Sequence, residues 1–168
     1  MFINKNKDAE RLKQISNDNL EKNIPVSGIF RLTLSKISFE MLVINSDDTS
    51  VSRRFWNDNY SDFSLEKWSN WSLEEGLYLD IGAHTGLYTM AALTANNKNR
   101  LLSIEPFPLN YHRIITNLRL NNLDNKNVKV LNCAVSDSNK VVKFDVRTPR
   151  SYLSKGGIYG QQFTRERI

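Results

Sequence analysis

The chain has 168 residues, 40% of them hydrophobic and 24% charged, with 7 glycines and 4 prolines. That is about one domain of ordinary globular composition, which argues against collagen-like, wholly disordered and disulfide-stapled classes. The net charge of +5 reads as a solvated basic surface rather than a nucleic-acid face.

Cys133 is the single cysteine, so it has no internal disulfide partner, and with only His84 and His112 beside it no zinc site can be assembled. No metal is expected. No run reaches the ~18 apolar residues of a membrane helix. The opening residues MFINKNKDAE are polar and lack the apolar stretch of a secretory signal. A cytoplasmic chain with no membrane partner is the expectation.

In chain order, residues 7–23 read as a short amphipathic helix through Leu12, Ile15 and Leu20, broken by Pro25 and Gly28. From Ile29 to Asn45 the period changes to two, the pattern of a β-hairpin. Asn45 to Thr49 reads as a loop. Residues 55–75 carry all three tryptophans among polar neighbours. They are expected as a helical cap packed on the main sheet, with the wall of a ligand cleft as the alternative.

From Gly76 the order becomes regular. Leu77–Ile81 is a short strand and Gly82–Gly86 a turn. Leu87–Ala95 is an apolar helix and Arg100–Ile104 a second strand. Residues 109–121 are helical, with Tyr111, Ile114, Ile115 and Leu118 on one face. Val128–Val135 is a third strand and Val141–Val146 a fourth; residues 147–168 read as loop. Strand, helix, strand, helix, strand predicts an α/β fold with a parallel sheet. The organisation is thus an N-terminal helix, hairpin and cap (1–75), an α/β core (76–146) and a tail (147–168).

The chemistry lies in Asp80-Ile81-Gly82-Ala83-His84-Thr85-Gly86. In open α/β sheets, ligands bind beyond the carboxyl ends of the strands. Gly82 lets the backbone turn and a ligand approach, and Gly86 opens a helix whose free N–H groups favour an anion. Glu105 follows Gly86 by 105 − 86 = 19 residues, at the end of the next strand, where an acid can accept both ribose hydroxyls. A dinucleotide turn has glycine where His84 stands, and Asp80 would repel a pyrophosphate. A cofactor with a sulfonium, an ammonium and no phosphate suits that charge. The sign of Asp80 therefore favours S-adenosylmethionine over a nicotinamide cofactor.

The segments LYLDIGAHTGLYT, SIEPFPLNYHRIITNLRLNN and VKVLNCAVSD resemble the FkbM family of S-adenosylmethionine-dependent methyltransferases. The resemblance covers about residues 39–146 and rests on Asp80-x-Gly82-Ala83-x-x-Gly86, Glu105-Pro106 and the pair Asn117 and Asn121. It implies a Rossmann-like class I methyltransferase sheet, here strands 3-2-1 with helices on both faces. It further implies O-methylation of a sugar, polysaccharide or related small molecule. By the same resemblance, Asp80, Gly82 and Ala83 line the methionine half of the cofactor and Gly86 starts the helix beside it. Glu105 takes the ribose hydroxyls, Pro106 lies by the adenine, and Cys133 and Ala134 flank the adenine edge. His84 stands where the family often has asparagine; it is expected to shape the pocket rather than act as a base.

The family's lysine-bearing strand and its Asp-x-Glu-Gly segment have no counterpart in this sequence. The expectation is a truncated or split gene, or a chain completed by a partner or by a second copy. The general base is unassigned. The alternative is a silent fragment that binds cofactor or a partner chain without turnover. A nucleic-acid methyltransferase is disfavoured, since no Asn/Asp-Pro-Pro-Tyr/Phe segment is present. His112 is expected in solvent and Cys133 as a small core residue. Asp137 and Asp145 lack the neighbours of metal ligands.

Overall fold

The computed structural model describes residues 25–56, 62–124, 126–137 and 141. The helix expected over 7–23 and the tail lie outside them, as does the strand over 141–146 apart from Val141.

Strands β1 (Gly28–Leu34) and β2 (Ile37–Val43) pair antiparallel, Gly28 opposite Val43 and Leu34 opposite Ile37. The period of two has its expected result: Ile37, Phe39, Met41 and Val43 are buried and the residues between them are not. Helix α1 (Thr49–Trp56) follows, and Asp48 closes its first turn by accepting the Val51 N–H at 3.0 Å. Phe55 of α1 meets Phe30 edge to face at 5.0 Å, and with Val26 and Trp56 it forms a small separate cluster. Helix α2 (Phe63–Trp71) is capped by Asp62, whose side chain accepts the Leu65 N–H.

The remaining elements are β3 (Leu77–Ile81), α3 (Leu87–Ala95), β4 (Arg100–Ile104), α4 (Pro108–Leu120) and β5 (Val128–Leu131). The three strands form one parallel sheet in the order β3-β4-β5, with Asp80 beside Ser103 and Ser103 beside Val130. The α/β class and the 3-2-1 strand order are as expected. The aromatic segment divides between two helices. Trp68 of α2 packs edge to face on Tyr88 of α3 and on Tyr78 of β3, and its Nε1–H donates to the Tyr88 carbonyl at 2.9 Å.

Crossovers of one hand, on a sheet growing in one direction, leave both helices on one face. Thr89 of α3 bonds to Asp80 and Ser103, and Ile114 and Leu118 of α4 share a core cluster with Val128 and Val130. The hairpin packs on the far side of these helices. Helix α3 is therefore enclosed by β2, α2 and the sheet, which is why its nine residues LYTMAALTA carry no charge. Among the described residues, α3 and α4 cover this face only. On the opposite face Leu77, Leu79 and Ile81 are 67%, 51% and 58% exposed.

The third strand ends sooner than expected, at Leu131 rather than Val135. Asn132 leaves the ladder and its Nδ2 donates to the Glu105 and Pro106 carbonyls, at 2.8 and 3.1 Å. Cys133, just beyond that departure, is consequently exposed and is not the core residue expected.

Candidate functional site

The turn after β3 is built from backbone that favours glycine. Gly82, His84 and Gly86 have φ of +78°, +53° and +90°. Gly82 and Ala83 donate N–H bonds to the Ile104 carbonyl at 2.8 and 3.1 Å, which anchors the turn to β4. A Cβ on Gly82 would meet nothing within 4 Å, so this part of the turn faces open space. A Cβ on Gly86 would lie 3.2 Å from the Ile114 side chain, so this glycine allows α3 to approach α4.

Beside the turn lies a cleft of about 270 Å³, lined by Asp48, Thr49, Ser50, Asp80, Gly82, Ala83, His84, Thr85, Leu87 and Tyr88. No lysine or arginine is among these lining residues. Asp80 turns toward α3, where its Oδ2 accepts the Thr89 hydroxyl at 2.6 Å. Burial pushes its carboxyl up; hydrogen bonds from Thr89 oppose this, the nearby Glu105 charge adds to it, and the net direction is up. Asp48, 4% exposed, behaves oppositely. Burial raises its carboxyl, but the His84 imidazole, the Thr85 hydroxyl and the Val51 N–H outweigh burial and hold it below the ordinary value.

Glu105 lies beneath the turn, 4% exposed. Its Oε2 accepts the His84 N–H at 2.8 Å and its Oε1 accepts the Phe107 N–H at 2.9 Å. It thus ties the glycine turn to the start of α4. Each carboxylate oxygen retains acceptor capacity beyond these bonds.

Of the residues singled out from sequence, Asp80, Gly82, Ala83 and His84 come together in the cleft, and Gly86 closes the turn behind it. Glu105, Pro106 and Ala134 are not among its lining residues. Pro106 is half-buried ahead of α4, and Ala134 is exposed beyond β5. His112 is exposed, as expected. Asp48 and Thr49 fall in the stretch whose sequence reads as a loop, and Ser50 carries no signal of its own. Asp48 directly before Thr49 and Ser50 is an N-cap signal, which locates Asp48 at a helix start and the other two in its first turn. Among the described residues no group of three His, Cys, Asp or Glu side chains could hold a metal ion, and no helix is long and apolar enough to cross a membrane.

No family model matches the chain, and no curated protein matches it. Solved structures do. An S-adenosylmethionine-dependent methyltransferase from Agrobacterium tumefaciens aligns with a TM-score of 0.47 at 12% identity, over 70% of this chain and 42% of that one. TYW2 from M. jannaschii, in complex with AdoMet, aligns with a TM-score of 0.42 at 17% identity, over 62% and 43%. TYW2 from P. horikoshii, in complex with MeSAdo, aligns with a TM-score of 0.45 at 13% identity, over 81% and 53%. The chain spans about half or less of the length of these structures.

Proposed function

We propose that the cleft beside the glycine turn binds S-adenosylmethionine, and that the chain is an S-adenosylmethionine-dependent methyltransferase of the FkbM type. The methyl acceptor in this reading is an oxygen of a sugar, polysaccharide or related small molecule. One observation carries it: the cleft sets Asp48 and Asp80 against an open glycine turn, with no lysine or arginine in its lining.

The residues present fit that cofactor. A buried carboxyl whose ionised form is under-compensated, as at Asp80, gains from a cationic ligand. Two unit charges about 4 Å apart are worth about 4 kcal/mol at an effective dielectric of 20, before desolvation. The same sign disfavours the pyrophosphate of a dinucleotide. When bound, the cofactor supplies an activated methyl group on a sulfonium. The chain's own part is to bind and orient. Asp80 attracts the positive end, Gly82 and Ala83 allow close approach of backbone, and Glu105 fixes the turn through the His84 N–H. In this reading Glu105 also receives the ribose hydroxyls, with Pro106 and Ala134 toward the adenine.

The exposed row Leu77, Leu79 and Ile81 favours a second reading, in which the chain holds cofactor without turnover until a complementing chain or a second copy covers that face. Calorimetry of the 168-residue chain with S-adenosylhomocysteine, and NAD as control, tests both readings. Binding of the former alone is expected. Binding of NAD, or of neither ligand by a folded chain, overturns the cofactor assignment. Binding without methyl transfer to any acceptor hydroxyl favours the second reading.

A further inference from the structure

We propose that the open face of the parallel sheet is a docking surface for an amphipathic helix of another protein, apolar on the side it buries and acidic along its margin. This deepens the second reading above, in which a complementing chain covers the face, and it needs the fold alone, not the cofactor. Leu77, Leu79 and Ile81 of β3 begin the face, each more than half exposed. The strand register extends it: Arg100 stands beside Leu77, Leu102 beside Leu79, and Lys129 beside Leu102. Leu131, two places after Lys129, shares the face. The helices hold the other side, where Asp80 and Ser103 bond to Thr89.

Parallel sheets occur with both faces covered, and helices are the layer that packs on such a face. An exposed apolar patch rimmed by charge marks an interaction site. The rim here has one sign. The three strands place no carboxylate on this face, since their one acid, Asp80, turns to α3. Arg100 and Lys129 are exposed, and neither makes an ion pair among the described residues. Strand spacing puts the two cations about 8 Å apart. Carboxylates one turn apart on a helix lying over the leucines reach both.

Charge and reach select among the occupants. A second copy is a chain of net charge +5 and gains nothing from two more cations. Residues 142–168 of the chain itself carry six lysines and arginines against two acids, the same sign as the rim. Residues 7–23, expected as a helix, join the fold at Pro25, and Val26 packs with Phe55 and Trp56 on the hairpin side. Two extended residues span about 7 Å at most, short of the roughly 20 Å through the helix layer and the sheet. A separate acidic helix fits both the sign and the place.

The test uses two synthetic helical peptides with leucine at positions i, i+3, i+4 and i+7, flanked by glutamate in one and by lysine in the other. Each carries a fluorophore, and its anisotropy is read on titration with the full 168-residue chain. The glutamate peptide is expected to bind more tightly by about tenfold or more, and added salt narrows the gap. Leu79→Glu is expected to weaken its binding by a similar factor. Arg100→Glu with Lys129→Glu should reverse the preference. Lys36→Glu with Lys67→Glu, an equal change of charge at the hairpin turn and on α2, should leave it in place. All five positions are exposed, so the variants keep the core. Binding of neither peptide overturns the proposal. So does a preference that follows both charge swaps alike, because net charge and not this face would then set it. A dimer in sedimentation that Leu79→Glu dissolves makes a second copy the occupant and overturns the acidic partner. The calorimetry with S-adenosylhomocysteine is a separate reading: its failure removes the cofactor and leaves the docking result standing.

Discussion

Asn121 holds both main-chain polar groups of Glu40, a residue 81 positions away. Its Oδ1 accepts the Glu40 N–H and its Nδ2 donates to the Glu40 carbonyl, each at 2.7 Å. One turn earlier on α4, Asn117 accepts the Leu42 N–H at 2.9 Å and donates to the Thr85 carbonyl at 2.9 Å. The two amides complete the edge of β2 with side chains in place of another strand, and they join the hairpin, α4 and the glycine turn.

Asn117 is fully buried. Asn117→Ala takes the partner from the half-buried Leu42 N–H and from the buried Thr85 carbonyl, at about 1–3 kcal/mol for an orphaned group. The expected outcome is a lower urea midpoint with an unchanged slope. A shift smaller than that of an ordinary surface substitution would show that water replaces the amide.

At Asp80 the sign of the shift sets stability and binding against each other. Its folded carboxyl titrates above the ordinary value of 3.8, chiefly through burial. Its contribution to stability is therefore complete below the unfolded pKa and is lost as pH rises through the folded one. Asp80→Asn removes that loss, so above this window the variant is expected to be at least as stable as the wild type. Its affinity for S-adenosylhomocysteine should fall by about 10- to 100-fold, as expected for the loss of a charge-assisted contact. Chemical denaturation at pH 4 and pH 8, paired with calorimetry, separates the two effects. A variant that is destabilised at pH 8 would contradict the sign.

Glu105→Ala is not a clean probe of ribose binding, because it also strips acceptors from the His84 and Phe107 N–H groups. That loss alone should cost about 1–3 kcal/mol of stability. Glu105→Gln keeps one carbonyl acceptor and the shape of the side chain. It is expected to retain most of the stability and to lose more than about tenfold in affinity for S-adenosylhomocysteine if the carboxylate receives the ribose. Equal affinity in Gln and wild type would confine Glu105 to the turn.

The two turn glycines should respond differently to alanine. Both have positive φ, which costs an L-residue about 1–2 kcal/mol. Only at Gly86 would the new Cβ also press on Ile114, at 3.2 Å. Gly86→Ala is expected to lower the thermal midpoint more than Gly82→Ala. The reverse order would mean that α4 yields easily.

Much of the sheet was legible because each strand is a short apolar run and each helix carries its own period. Alternation in β1 and β2 gave the hairpin, and Tyr111, Ile114, Ile115 and Leu118 gave α4. The end of β5 was not legible, since apolar residues continue through Cys133 and Val135 while Asn132 has already turned to the Glu105 and Pro106 carbonyls. The pairing of Asp48 with His84 was hidden because it depends on how the hairpin packs over α3 and α4, which local pattern does not encode. The same holds for Glu105: its place at a strand end could be read, but the N–H groups of His84, Phe107 and Asn110 that it serves could not.

The packing of Trp68 has a practical consequence. Its indole donates to the carbonyl of Tyr88 and stacks edge to face on that ring at 5.8 Å, and Tyr88 forms part of the cleft wall. A molecule entering the cleft therefore touches a group in direct contact with a fluorophore. With Trp71 largely in solvent and Trp56 buried in a separate cluster, a change in the Trp68 emission on titration would report occupancy optically, with no label added to the chain.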